Sequence, residues 1–522
     1  MALRLARLLP RYEYSADEAF GVDGAPGDVV AQRRDAFARL GERLRAMAPK
    51  TIEAGEALRG AVSDVDFVNA YRVPFQFRTL VEQNVPLGTL ADETDGPRIR
   101  DLDGNWSYDL GGSYGVNLFG SEFYKVSIDR AVARASSLGM VLGPYHPVIV
   151  DNVERLRAVS GLDEVSFHMS GTEAVMQAVR LARYHTGRRC VVRFAGAYHG
   201  WWDGVQAGPG NPRPARDVYT LAEMSEHTLQ VLASRHDIAC VLVNPIQAMH
   251  PNASPPGDGS LVAGIRGAQY DKGAYADWLA RLREVCTARG IVLIFDEIFL
   301  GFRLAKGGVQ EYFGVPADLV TYGKSVGGGL PVGVVCGRHD LMRRFSETRA
   351  ADICFARGTF NAHPYVMTAM NEFLRHIDDP ATQATWRNID TRWDERVDAI
   401  NARFDTADLP IHFVNMTSVW ATCFTVPGRY HWMYQFYLRA AGIQMGWIGT
   451  GRFIFSHDLT DSDVRSISDR LLSAAESMRD DGWFWKNPAL TAKAIKRQIL
   501  RESLSAARGR VSSGRSAHPA KA

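Results

Sequence analysis

Cysteine is scarce in this chain of 522 residues. The six present, Cys190, Cys240, Cys286, Cys336, Cys354 and Cys423, include no Cys-x-x-Cys and no Cys/His pair at metal-ligand spacing. We therefore expect no metal and no disulfide framework, and reduced thiols in a cytoplasmic protein. A surplus of one charge sign is also lacking, since 60 basic and 58 acidic residues leave a net charge of +2. Bulk electrostatics thus give no reason to expect nucleic acid or a membrane as partner. No apolar run is long enough to cross a bilayer. Residues 1–10 are basic and apolar but lack an uninterrupted hydrophobic stretch and a small-residue cleavage site, so no signal peptide is expected. Internal repeats are absent.

What remains is ordinary globular material, 46% hydrophobic and 23% charged, enough for roughly two to four domains. Residues 1–96 read as an N-terminal extension in which Val30, Phe37, Leu40, Leu44 and Met47 recur at helical spacing up to Pro49. Residues 97–149 form a lead-in, with a hairpin at 98–111 around Asp103, Gly104 and Asn105. Across 150–378 short apolar strands (190–194, 239–243, 292–295, 319–322, 333–336) alternate with helical stretches. That alternation predicts an α/β layer with a mostly parallel sheet. Residues 379–490 read as a smaller α+β lobe. The basic stretch 491–522, with Lys493, Lys496, Arg497, Arg501, Arg508, Arg510 and Arg515, is expected to be a disordered tail.

Four motifs carry chemistry. Lys324 stands between glycine-rich segments after an apolar strand, where a desolvated amine suits imine formation with a carbonyl. Asp296 precedes it by 28 residues, also at a strand end. A lysine for an aldehyde and an aspartate for a pyridinium nitrogen are the two groups that pyridoxal phosphate requires. Ser170, Gly171 and Thr172 open a helix, where backbone amides and hydroxyls stabilise a phosphate. Taken alone, the same turn reads more readily as an ordinary helix cap. Tyr198 and His199 follow another strand, placing an aromatic ring where α/β sheets bind ligands. A buried structural tyrosine is the competing reading.

Taken together, in the chain order Ser170–Thr172, Tyr198, Asp296, Lys324 and then Thr359, these motifs resemble the class III, fold-type I pyridoxal-phosphate aminotransferases. Glutamate-1-semialdehyde aminomutases look most similar. The resemblance spans about residues 97–470 and is densest at 170–182, 194–200, 295–303, 321–337 and 455–464. It implies an α/β fold with a large, mostly parallel seven-stranded sheet and a smaller α+β domain built from both chain ends. It implies that Lys324 holds the cofactor as a Schiff base and shuttles a proton, and that Asp296 pairs with the ring nitrogen. Tyr198 and Ile298 would sandwich the ring, with His199 beside it. Ser170, Gly171 and Thr172 would bind the phosphate, and Thr359 would reach the phosphate of a neighbouring subunit in a homodimer. Asn244 stands where the family commonly has glutamate, so a carboxylate is missing there. Tyr114, Trp202 and Arg452 are candidates for substrate contact, with Trp201, Tyr145 and Trp447 as further aromatics. The expected reaction is amino transfer from an amine or amino acid to an aldehyde or ketone, with an intramolecular aminomutase as the alternative.

Overall fold

The computed structural model describes residues 10–88, 90–206, 217–246, 270–446 and 452–512. Its centre is a seven-stranded sheet in the order Glu164–His168, Gly333–Gly337, Leu319–Gly323, Val292–Asp296, Ile238–Val243, Cys190–Phe194, Val218–Leu221. Only Gly333–Gly337 runs antiparallel to its neighbours. The inner strands are apolar on both faces because helices cover both. Every residue of Ile238–Val243 and of Val292–Asp296 is buried. The two strands not anticipated from sequence, Glu164–His168 and Val218–Leu221, lie at the sheet edges and are polar or half-exposed. One edge strand thus lacks the continuous apolar run that marks the others.

The parallel strands all end at one rim, and the next residue in each connection lies there. Backbones come close at this rim. A Cβ on Gly333 would sit 2.0 Å from the carbonyl oxygen of Ser170, so glycine is required where the antiparallel strand passes the Ser170 turn.

A second core joins the chain ends. Phe20, Phe37, Leu40 and Leu44 from the N-terminal segment pack in one cluster with Trp393, Trp420, Trp432 and Trp483. The expected hairpin forms between Arg98–Arg100 and Trp106–Asp109, with Gly104 at φ 86°. Ile443–Gln444 of the C-terminal lobe then extends it in parallel. Arg33 binds this unit from inside. Its guanidinium is fully buried, pairs with Asp23 at 2.8 Å, donates to the Gly482 carbonyl at 2.8 Å and lies 4.6 Å from the Tyr430 ring centroid.

The expected disorder of 491–522 is wrong for most of that stretch. Ala492–Ser512 is a helix, and Ile495 is fully buried. Glu502 accepts hydrogen bonds from Tyr12 at 2.7 Å and Tyr14 at 2.6 Å. The partners that order this helix are some 490 residues away, so its own composition could not announce them. Residues 513–522 lie outside the described residues.

Removing one partner of a buried ion pair leaves the other charge unpaired in a poor dielectric. Arg33→Met is therefore expected to cost about 3–5 kcal/mol in chemical denaturation. The double variant Arg33→Met/Asp23→Asn should recover a substantial part of that loss, because no uncompensated charge remains.

Candidate active site

Asp296 closes its strand and is almost fully buried. Its Oδ1 accepts the Ile298 amide at 3.2 Å and the Thr321 hydroxyl at 3.4 Å. Its Oδ2 lies 2.7 Å from Nδ1 of His199, whose side chain is completely buried. That distance suits a hydrogen bond in which the Nδ1–H of His199 donates to the Asp296 carboxyl. Nε2 of His199 is buried with no partner among the described residues. Both strand ends meet here because the strands carrying Phe194 and Phe295 flank the strand Ile238–Val243 in the sheet.

Lys324 begins a short 3-10 turn directly after Leu319–Gly323 and has a left-handed φ of 47°. A lysine in that conformation is strained by its Cβ, and the surrounding glycines Gly323, Gly327, Gly328 and Gly329 let the chain turn sharply enough to hold it. Its Nζ stands 5.6 Å from the Phe299 ring centroid. Burial pulls the Lys324 amine below the usual lysine range, Asp296 opposes that shift, and the charge of Arg303 adds to it. A larger share of the amine is therefore unprotonated and nucleophilic at neutral pH.

Two residues with no sequence-assigned role fix this lysine. Gly115, at φ 93°, lets its backbone pack on the Phe299 ring; a Cβ there would lie 2.7 Å from that ring and 3.6 Å from Lys324 Cδ. Arg303 is fully buried and donates to the Ser418 hydroxyl at 2.9 Å and to the carbonyls of Phe455 at 2.6 Å, Asn117 at 3.2 Å and Gly115 at 3.4 Å. No carboxylate pairs with it among the described residues, and burial lowers its pKa to about 10. Its presence in the segment 296–303 was visible, but its partners lie in three distant parts of the chain.

The Ser170 turn forms the helix cap. Ser170 caps the helix Gly171–Thr186, its Oγ accepting the Glu173 amide at 3.3 Å. Gly171 rests against Ile298, where a Cβ would lie 2.7 Å from that side chain. Gly200, at φ 88°, is packed against Thr172, where a Cβ would fall 2.6 Å from Oγ1. Ser170, Gly171, Thr172, Ile298 and His199 thus surround one rim. The amides that open a helix lack intrahelical acceptors and can receive an anion.

Other expected residues are placed as follows. The Tyr198 ring is 58% exposed at the rim, and partial burial with the charge of Asp296 raises its hydroxyl pKa. Asn244 is buried, its Oδ1 accepting the Ile246 amide at 3.3 Å. Tyr114 is half-exposed in the left-handed turn before Gly115. The Trp202 indole nitrogen is buried without a partner among the described residues. Arg452 starts the strand Arg452–Ile454 and is paired opposite Ala421. Thr359 is exposed in a turn. Trp447 lies outside the described residues.

The model of the family described as aminotransferase class-III matches residues 80–408. The chain belongs to the class-III aminotransferases. A glutamate-1-semialdehyde 2,1-aminomutase of Geotalea daltonii is 32% identical over 357 residues, covering 65% of this chain and 77% of that protein. The β-phenylalanine aminotransferase of Variovorax paradoxus superposes with a TM-score of 0.69 at 25% identity, over 86% of this chain and 98% of its own. An omega-transaminase of Sphaerobacter thermophilus gives 0.63 at 26% identity, over 76% and 92%. This class-III enzyme is a fold-type I transaminase and uses pyridoxal phosphate. The residues fit that cofactor, because the site holds a buried carboxylate, a desolvated lysine and a glycine-lined helix N-terminus side by side.

In the cofactor-free protein, Lys324 should react with an amine-directed acylating reagent at a lower pH than surface lysines. The rate, followed by peptide mass spectrometry, should rise through a midpoint below the usual lysine value. Asp296→Asn removes the charge that opposes this shift and should move the midpoint lower still; an upward move would contradict the assignment.

Proposed function

We propose that this class-III enzyme moves an amino group between an amine or amino-acid donor and an aldehyde or ketone acceptor, with Lys324 as the proton carrier. The observation that carries the proposal is the buried Lys324 amine beside the Asp296–His199 pair. Bound pyridoxal phosphate supplies an electron sink for the bond changes at the donor carbon.

The roles of the chain's own groups follow from their placement. Asp296, hydrogen-bonded by His199 and the Ile298 amide, would keep the cofactor's ring nitrogen protonated. Tyr198 would cover one ring face and Ile298 the other. The hydroxyls of Ser170 and Thr172 and the amides of Gly171 and Thr172 would hold the phosphate. Lys324 Nζ, once free, would take a proton from the donor carbon and return it at the acceptor carbon. Tyr114, Trp202 and Arg452 stand as the candidate substrate contacts.

Thr359 serves the site on this reading only from a second copy of the chain. The segment around it supports such a homodimer, because Phe345, Ile353, Phe355 and Phe360 are all about half or more exposed. A patch of that kind is what a partner covers. The six cysteines are all free and buried, which fits a reducing cytoplasm.

The second reading, an intramolecular aminomutase, is favoured by the name of the Geotalea relative. It uses the same residues, and it differs in consuming no separate amino donor.

Lys324→Ala should retain the fold and lower turnover by roughly a thousandfold or more, as expected for loss of a positioned acid–base group. Steady-state transamination against a panel of amines and carbonyl compounds measures it. Turnover near that of the unaltered enzyme would remove the proposal. Stoichiometric donor consumption by the unaltered enzyme separates amino transfer from the mutase reaction.

A further inference from the structure

The near-zero net charge conceals a local imbalance. Residues 492–512 contain Lys493, Lys496, Arg497, Arg501, Arg508 and Arg510 against one acid, Glu502. That acid faces inward, hydrogen-bonded to Tyr12 and Tyr14 and 3.7 Å from Arg429. Ile495 and Ser503 are buried on the same inner side, where Gln498 donates to the Val22 carbonyl at 2.8 Å.

The helical repeat assigns the outward side. Lys493, Lys496, Arg497, Leu500, Arg501 and Leu504 fall on one arc, and all six are exposed. Leu500 is 54% and Leu504 47% exposed, one turn apart in the middle of the basic residues. Among the described residues no carboxylate pairs with any of the four cations. A cationic helix face with apolar side chains along its centre is the pattern of helices that lie in a bilayer interface. Clustered lysines and arginines attract anionic headgroups, while the leucines enter the acyl boundary.

We propose that the outward face of Ala492–Ser512 docks the protein on an anionic lipid surface. The occupant is lipid rather than nucleic acid, because the arc presents no aromatic ring for stacking and places leucines where bases would need polar contacts. It is lipid rather than a protein, because four uncompensated cations flank two exposed leucines, a charge complement to anionic headgroups over an acyl boundary. The apolar area is small, so the attachment is peripheral, reversible and weakened by salt.

Flotation of the holoenzyme with vesicles tests this. One set contains phosphatidylcholine alone and the other one-third phosphatidylglycerol. Binding is expected only to the anionic set, and it should fall at high salt. Lys496→Gln/Arg497→Gln/Arg501→Gln should reduce partitioning by about a hundredfold, from the contribution of three basic residues near a charged surface. Leu500→Ser/Leu504→Ser should reduce it by about tenfold. Both variants should keep the far-ultraviolet circular dichroism spectrum and the solution transamination rate, since these positions lie outside the site. Partitioning unchanged in the glutamine variant, or equal on neutral vesicles, would overturn the proposal. So would duplex DNA binding as tight as vesicle binding and insensitive to the leucine changes, which would mark a general polyanion face. A shift of the variants to a smaller oligomer would assign the face to a second copy instead and also overturn it.

Discussion

A carboxylate buried at the end of a central strand is the constraint around which the site is built. Asp296 has lost most of its water, so its charge must be supported by protein donors. The Ile298 amide and the Thr321 hydroxyl serve one oxygen, and His199 serves the other. Each donor comes from a different place: the following turn, the adjacent strand, and a strand two positions away. The sheet order is what brings them together. The next residue, Glu297, is also buried, and burial raises its pKa to about 8. It is therefore largely neutral near pH 7, with Oε2 accepting the Val309 amide at 2.8 Å. A neutral Glu297 beside Asp296 spares the core a second buried negative charge.

Arg303 makes the large sheet and the smaller unit act as one framework. Its four acceptors lie in the turn before the helix Ser121–Ala135, at Ser418 and at Phe455. The same guanidinium that holds the Gly115 turn against Phe299 thus also holds the C-terminal lobe. Any shift of that lobe changes the turn that packs on Lys324. The N-terminal segment reaches this lobe through Arg33 and through the shared aromatic core. Both chain ends therefore support a site to which neither contributes a reacting group.

The central strands were legible because burial on both faces leaves runs of apolar residues, as in Ile238–Val243 and the first four residues of Val292–Asp296. The edge strand Val218–Leu221 was not, since one edge is open and its pattern is diluted. Lys324, Asp296 and the Ser170 turn were legible because their chemistry constrains residue type at a strand end or helix start. The supports were not. Gly115 is required by the Phe299 ring, which only the fold brings to it. Arg303 chooses backbone oxygens, and backbone oxygens leave no trace in residue identity. The C-terminal helix was misjudged for a related reason, because Glu502 is held by the Tyr12 and Tyr14 hydroxyls across almost the whole chain length.

The charges of the site also explain why its lysine is poised for the reaction. Lys324 feels the charges of both Asp296 and Arg303 in a space with little water, an excess of one cation. At an effective dielectric of about 20, close charges interact by a few kcal/mol, so such an excess is relieved in one of two ways. Lys324 can release its proton, or an anion can enter. The first produces the unprotonated amine that carbonyl chemistry needs. The second favours a phosphate-bearing cofactor at the nearby helix N-terminus, where free amides already favour negative charge. Arg303 cannot relieve the strain itself, because a guanidinium stays protonated even when burial lowers its pKa to about 10. Burial is thus the main cause that lowers the Lys324 pKa, and Arg303, held by neutral oxygens among the described residues, adds to it.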